Sequence, residues 1–285
     1  MAGVTPTMGR RKLGGVLTAL REGAKLTGDQ AAKLANFSTG KLSRLETGHN
    51  VVYPKDVRAL LDAYATPATV RDQVLRLAEL AEQPGWWQEF GDVLPMDFDL
   101  YLSVEEAAAS LLVFETSVVL GLLQTEDYAR TWLRAEDPGI PNADLERFVK
   151  LRMTRQRLLG RESGGLTLWA IFDEAVLRRK VGGPEIMRAQ LGHLLTMSEQ
   201  SNITIQVLPF EVGAHVAASG SFTLVEFEQP TDPEIGYVDC AAGNVYAEKP
   251  AQVRRLKTNF HHLTSLALPP QKSLSFIRKA QKELT

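Results

Sequence analysis

The sequence contains one cysteine, Cys240, so it can form no internal disulfide and no multi-cysteine zinc site. A reducing cytoplasm is the expected compartment. No run reaches the roughly 20 uninterrupted apolar residues of a membrane span. The longest apolar stretch, Leu111 to Leu123, is broken by Glu115, Thr116 and Ser117. Basic residues near the N-terminus precede no apolar segment, so no secretory signal and no membrane partner are expected. Motifs of catalysis are missing as well. There is no Gly-x-Ser-x-Gly, no phosphate loop and no His-Glu-x-x-His, and the histidines (His49, His193, His215, His261, His262) do not share metal-ligand spacing within one element. The expectation is a protein that is not an enzyme, with no cofactor and no metal.

What remains is a 285-residue chain with 44% hydrophobic residues, enough for two domains with packed cores. Its net charge of −2 conceals a strong asymmetry. Residues 1–60 carry ten Lys or Arg and four acids, giving +6 and leaving −8 for the rest. A basic head on an acidic body is the pattern expected where one part meets phosphates and the other does not, although a solvated basic face would give the same count.

Helical periodicity dominates the head. Leu13, Val16, Leu17 and Leu20 mark a first helix stopped at Gly23. Thr27 offers an N-cap oxygen to a short second helix ending near Ala35, and Asn36 sits where a left-handed backbone is needed. Ser38 caps a third helix with Leu42 and Leu45 inward and Gly48 at its close. Asp56 to Tyr64 and Val70 to Leu80 give two more, and Gln83-Pro84-Gly85 breaks the pattern before Trp86 and Trp87. Short helices with a turn of about three residues between the second and third form a helix-turn-helix signature. The division expected is 1–82 for DNA binding and 83–285 for regulation, dimerisation or partner binding.

In the body, Ser103 and Glu106 read as a capping box opening a helix over Ala107 to Leu112. Further helices are expected from Thr125 through Leu133, over Ala143 to Leu159 and Pro184 to Ser198, and over Ala251 to Leu266 and Ser273 to Leu284. Strands are expected over Leu166 to Phe172, Ile203 to Leu208, Phe222 to Phe227 and Ile235 to Val238, the first two joined by a helix and therefore parallel. The fold class is α+β, an all-α head followed by a larger mixed α/β domain. The helix of Ala143 to Leu159 shows an outer face of Arg147, Lys150, Arg152, Arg155 and Arg157, which either meets DNA or a partner or pairs with acids of the same body; the second is favoured. Leu111 to Leu123 is either core or a docking surface, and Trp86, Trp87 and Trp132 either pack or line a ligand pocket.

The segments Leu26-Thr27-Gly28-Asp29-Gln30-Ala31-Ala32-Lys33-Leu34-Ala35-Asn36-Phe37-Ser38 and Lys41-Leu42-Ser43-Arg44-Leu45-Glu46-Thr47-Gly48 resemble the lambda-repressor-like regulators of the xenobiotic-response-element family. The resemblance places Ala32 where the two helices cross and Phe37 and Leu42 in the core beside the turn. It implies a third helix that reads the major groove, where Arg, Lys, Gln and Asn match base edges and Ser and Thr suit phosphates or single base contacts. The DNA-binding candidates are Thr27, Gln30, Ser38, Thr39, Lys41, Ser43, Arg44 and Asn50, with Thr39 and Lys41 expected nearest the groove and Ser38 also serving as cap. Where the family usually carries a glutamine, this chain has Gly28.

Gly85-Trp86-Trp87, Leu120-Gly121-Leu122-Leu123-Gln124-Thr125, Arg152-Met153-Thr154-Arg155-Gln156 and Ile205-Gln206-Val207-Leu208-Pro209-Phe210 are similar to motifs of actinobacterial WhiJ-like, antitoxin-like regulators, with Leu120 where that group usually has proline. That resemblance implies a transcriptional regulator of double-stranded DNA, often paired with a small protein encoded nearby; the alternative is an antitoxin-like interaction protein that binds such a partner and autoregulates. The resemblance carries no site residues for the second domain. A homodimer is expected because one short recognition helix reads only a few base pairs.

Overall fold

A computed structural model of the chain describes residues 6–48, 52–82, 85–94, 98–161, 165–229, 232–240 and 243–284. Two compact units divide it: Gly3–Gly91 with Asp97–Ala107, and Asp92–Met96 with Ala108–Thr285 and the first two residues. The helical unit therefore reaches past residue 82, taking in a further turn and helix.

In the helical unit α1 (Pro6–Gly23), α2 (Gly28–Leu34), α3 (Thr39–Glu46), α4 (Pro54–Ala63) and α5 (Ala68–Glu82) are followed by a 3₁₀ turn, Trp86–Phe90, and by α6 (Phe98–Ala107). Leu13, Leu17, Leu42, Leu45, Val57, Leu60 and Leu61 form its core together with Ala31 and Ala32. Helix α4 begins two residues before the position expected from Asp56, because Pro54 supplies a backbone angle already suited to a first turn. Gly14 lets α1 lie directly against the end of α3: a Cβ there would stand 2.3 Å from the Glu46 carbonyl oxygen. Trp87 is buried, and the half-buried Trp86 donates its indole N–H to Glu106 at 2.9 Å, so both rings are packing groups rather than pocket walls.

The capping box expected at Ser103 does not form. Ser103 is fully buried inside α6, and the expected helix after it is replaced by a strand, β1 (Ser110–Glu115). Leu111-Leu112-Val113-Phe114 is a continuous apolar run, and periodicity alone cannot tell such a run in a strand buried on both faces from a buried helix.

The second unit is built on a six-stranded mixed sheet of order β3-β2-β1-β4-β5-β6. Its remaining strands are β2 (Thr167–Asp173), β3 (Ile203–Leu208), β4 (Phe222–Glu226), β5 (Ile235–Cys240) and β6 (Gly243–Ala247). β1, β2 and β3 run parallel, as the intervening helix requires, while β4, β5 and β6 are antiparallel. β6 was not foreseen from the sequence; it is exposed on alternate residues and carries little apolar signal. The other helices of this unit are α7 (Glu126–Glu136), α8 (Asn142–Arg155), α9 (Glu174–Arg178), α10 (Gly183–Met197), α11 (Pro250–Leu266) and α12 (Pro270–Lys282). Val253, Phe260 and Leu263 of α11 cover Leu112, Phe114, Ile171 and Leu224 on one face of the sheet. The outer edge of β3 is sealed by the chain after α11 and the start of α12: Leu268 N–H donates to the Val207 carbonyl at 2.9 Å, and the Ser273 hydroxyl accepts from Val207 N–H at 3.0 Å.

Apart from the half-buried Val118, the apolar residues of Leu111 to Leu123 are core. Leu120, Leu122 and Leu123 are buried in a turn held by glutamines. Gln124 donates to the Val119 carbonyl, Gln190 bridges the Leu123 carbonyl and the Thr125 N–H, and Gln156 reaches the carbonyls of Gly121 and Gln124. The recurring Gln124 and Gln156 motifs are thus scaffold. On α8, Arg147 makes a two-pronged ion pair with Asp92 at 2.6 Å, in keeping with charge pairing inside its own unit. Arg155 departs from the outer basic face expected of it. It is 5% exposed and packs towards Gly121, because α8 ends there and the chain tightens into a 3₁₀ turn. Glu115, at the end of β1, has its carboxyl pushed up to about 7 by burial, against a lowering by its hydrogen bond with Ser221. His215 accepts from Ala217 N–H and lies edge-on to Phe114, a packing role for the loop histidine.

Candidate nucleic-acid interface

Local chemistry fixes the two helices of the motif. At the start of α2 the Thr27 hydroxyl accepts from Gln30 N–H at 3.3 Å, and the Gln30 side-chain oxygen accepts from Thr27 N–H at 2.9 Å. This reciprocal pair satisfies two donors that the helix start leaves open. Asn36 takes a left-handed φ of 55°, and Phe37 N–H returns to the Ala32 carbonyl at 2.8 Å. The chain is thereby turned tightly enough for α3 to begin at once. Ser38 caps α3, its hydroxyl accepting from Lys41 N–H at 3.1 Å.

Leu42 and Leu45 anchor α3 in the core, which leaves Thr39, Gly40, Ser43, Arg44 and Thr47 exposed on the opposite side. The Thr47 hydroxyl bonds back to the Ser43 carbonyl at 2.8 Å. Gly48 then takes a φ of 75° and ends the helix. A groove of about 340 Å³ runs beside this face, walled by Thr18 of α1, Gly28 and Asp29 of α2, and Thr39, Ser43 and Thr47 of α3. Nothing lies within 4 Å of a Cβ built on Gly28, so the missing glutamine side chain leaves open space at that wall. Lys25, Lys33, Lys55 and Arg58 are exposed on the same unit.

Two charged residues of α3 turn inward instead. Glu46 receives both prongs of Arg21, at 2.7 and 3.1 Å, and lies 3.4 Å from the Tyr64 hydroxyl. That hydrogen bond raises the Arg21 pKa, while burial is the main cause that raises the Tyr64 phenol. Lys41 sits 2.9 Å from the Asp56 carboxylate on α4, with its ammonium 3.9 Å from the centre of the Phe37 ring.

Among the sequence-derived candidates, Thr39, Ser43 and Arg44 lie together on the exposed face. Thr27, Gln30 and Ser38 are at the two helix starts, engaged in caps. Lys41 is drawn to the flank of the helix, and Asn50 lies outside the described residues. Thr47 was missed, although its spacing of four from Ser43 could have placed it on the same face. Asp56 and Arg21 were missed as the groups that orient α3, because their partners are remote in sequence. The exposed set offers the guanidinium donors of Arg44, suited to guanine edges or phosphate, and hydroxyls suited to phosphate oxygens.

Comparison with known families bears on both units. A family model described as a helix-turn-helix domain matches residues 12–74, from within α1 into α5, a segment that includes this exposed face. It supports a DNA-binding regulator. A second model, a domain of unknown function (DUF5753), matches residues 98–279, well over half of the chain. The chain belongs to the DUF5753 family. No curated protein and no solved structure matches it. The DUF5753 match opens on α6, which packs in the helical unit, and then spans the whole sheet. Among the described residues no helix is long and apolar enough to cross a membrane, and no group of three or more His, Cys, Asp or Glu could hold a metal ion.

Proposed function

We propose that this chain is a sequence-specific transcriptional regulator that reads duplex DNA with the exposed face of α3, in the manner of the xenobiotic-response-element regulators. The observation that carries the reading is the arrangement of α3 itself. A capped helix is fixed in the core by Leu42 and Leu45, and its free side presents Thr39, Ser43 and Arg44. One such helix reads only a few base pairs, so specificity calls for two half-sites about one helical turn apart and hence for a homodimer. The second unit is read as non-catalytic, supplying the dimer contacts and the response to a ligand or small protein partner.

The test is a mobility-shift titration at fixed salt with a duplex that the wild-type chain selects from a randomised library. Arg44→Ala is expected to weaken binding by 1–3 kcal/mol, about five- to 150-fold, if its guanidinium reads a base. A footprint covering two half-sites about one turn apart is expected from the dimer. Unchanged affinity in Arg44→Ala would remove α3 as the reading element.

A further inference from the structure

The contacts of Lys41 point to a division of labour on α3. Its ammonium is 2.9 Å from the Asp56 carboxylate and 3.9 Å from the centre of the Phe37 ring. Asp56 is 8% exposed, in the first turn of α4, and Phe37 is half-buried in the turn that leads into α3. Three pieces of chain meet at this one ammonium: the turn, α3 and α4. Helical geometry agrees with the contacts, since a residue one step before the buried Leu42 falls on the flank of the helix rather than on the side facing away from the core.

We infer that Lys41 is a positioning residue and does not itself contact DNA. This rests on the assignment of α3 as the reading helix. Moving the ammonium to a phosphate would leave the Asp56 carboxylate largely buried and uncompensated, and would exchange one charge pair for another without gain. The clamp instead sets the angle at which α3 offers Ser43 and Arg44, and Arg44 is the cation that meets the nucleic acid.

The experiment uses full-length variants and the duplex selected by the wild-type chain. Lys41→Glu and Asp56→Lys are each expected to weaken binding by at least about tenfold, while the double swap restores affinity to within about threefold, the coupling expected of contacting charges. In the neutral pair Lys41→Met with Asp56→Asn, the slope of log affinity against log salt is expected to match wild type, whereas the loss of one phosphate contact would lower it by about 0.9. A swapped protein that melts like wild type yet binds as poorly as Lys41→Glu would overturn the inference and make Lys41 a DNA contact. Should the swap not fold, the neutral pair decides, and a slope lowered by about 0.9 overturns the inference just as well. A wild-type chain that selects no duplex defeats the DNA reading and this inference together; selection without rescue defeats only the role given to Lys41.

Discussion

Arg21 and Glu46, 25 residues apart, form a two-pronged ion pair at 2.7 and 3.1 Å that ties the end of α1 to the end of α3. Their side chains are only 14% and 12% exposed, so the pair lies well inside the range where removing one partner strands the other. Glu46→Ala is expected to cost the helical unit roughly 2–3 kcal/mol in thermal or urea unfolding. Arg21→Lys recovers little of the contact, since an ammonium cannot make both hydrogen bonds. An unfolding midpoint for Glu46→Ala equal to that of wild type would reduce the pair to surface decoration.

Two adjacent glycines of α1 make a paired test of the crossing between α1 and α3. A Cβ on Gly14 would stand 2.3 Å from the Glu46 carbonyl oxygen, whereas one on Gly15 meets nothing within 4 Å. Gly14→Ala is expected to destabilise the unit by at least about 1–3 kcal/mol through forced separation of the helices. Gly15→Ala is expected to stabilise it by about 0.5–1 kcal/mol through helix propensity. Equal effects of the two substitutions would show that the crossing is looser than its geometry implies.

Removing the cap of α3 tests whether its first turn is built for stability. Ser38→Ala deletes the hydroxyl that accepts from Lys41 N–H and is expected to cost about 1 kcal/mol. Ser38→Asp keeps an acceptor for that N–H and is expected to fold as stably as wild type. Its added negative charge is expected to weaken DNA binding. Denaturation and salt-controlled binding, measured on the same samples, separate the two effects.

Glu115 makes stability fall as pH rises. Its carboxyl is pushed up from 4.5 to about 7, chiefly by burial, so between those values the folded state holds a proton that the unfolded state has released. Its stabilising contribution is therefore complete below about pH 4.5 and is lost as pH rises through about 7, up to roughly 3 kcal/mol in all. Glu115→Gln is expected to flatten this part of the stability profile for the unfolding transition of the second unit. A variant with the same pH dependence as wild type between pH 4.5 and 7 would assign the slope to other groups.

Helices α2 to α5 of the helical unit were legible in the sequence to within about two residues because their signals are local, whereas α6, which the sequence placed after Ser103, was not. Thr27 and Ser38 cap their own helices, Asn36 takes its own left-handed turn, and Leu42 and Leu45 repeat at the helical period. In the second unit β2, β3 and most helices were read for the same reason, as was the parallel pairing of β2 and β3. The strand at Ser110–Glu115 was not, since four apolar residues in a row have no period to read and only flanking strands on both sides make them extended.

The amino-acid sequence by itself determined that a capped three-residue turn joins two short helices and that a polar face would stand opposite Leu42 and Leu45, because each of those outcomes is settled by residues within one or two turns of one another. Only the tertiary structure decided which polar residues on that helix remain available. Lys41 and Glu46 read as surface charges until Asp56, Phe37 and Arg21 are brought beside them. An ion pair between separate helices depends on how the helices cross, and that crossing is set by packing at Gly14 and Ala32 rather than by any local pattern around the charges themselves.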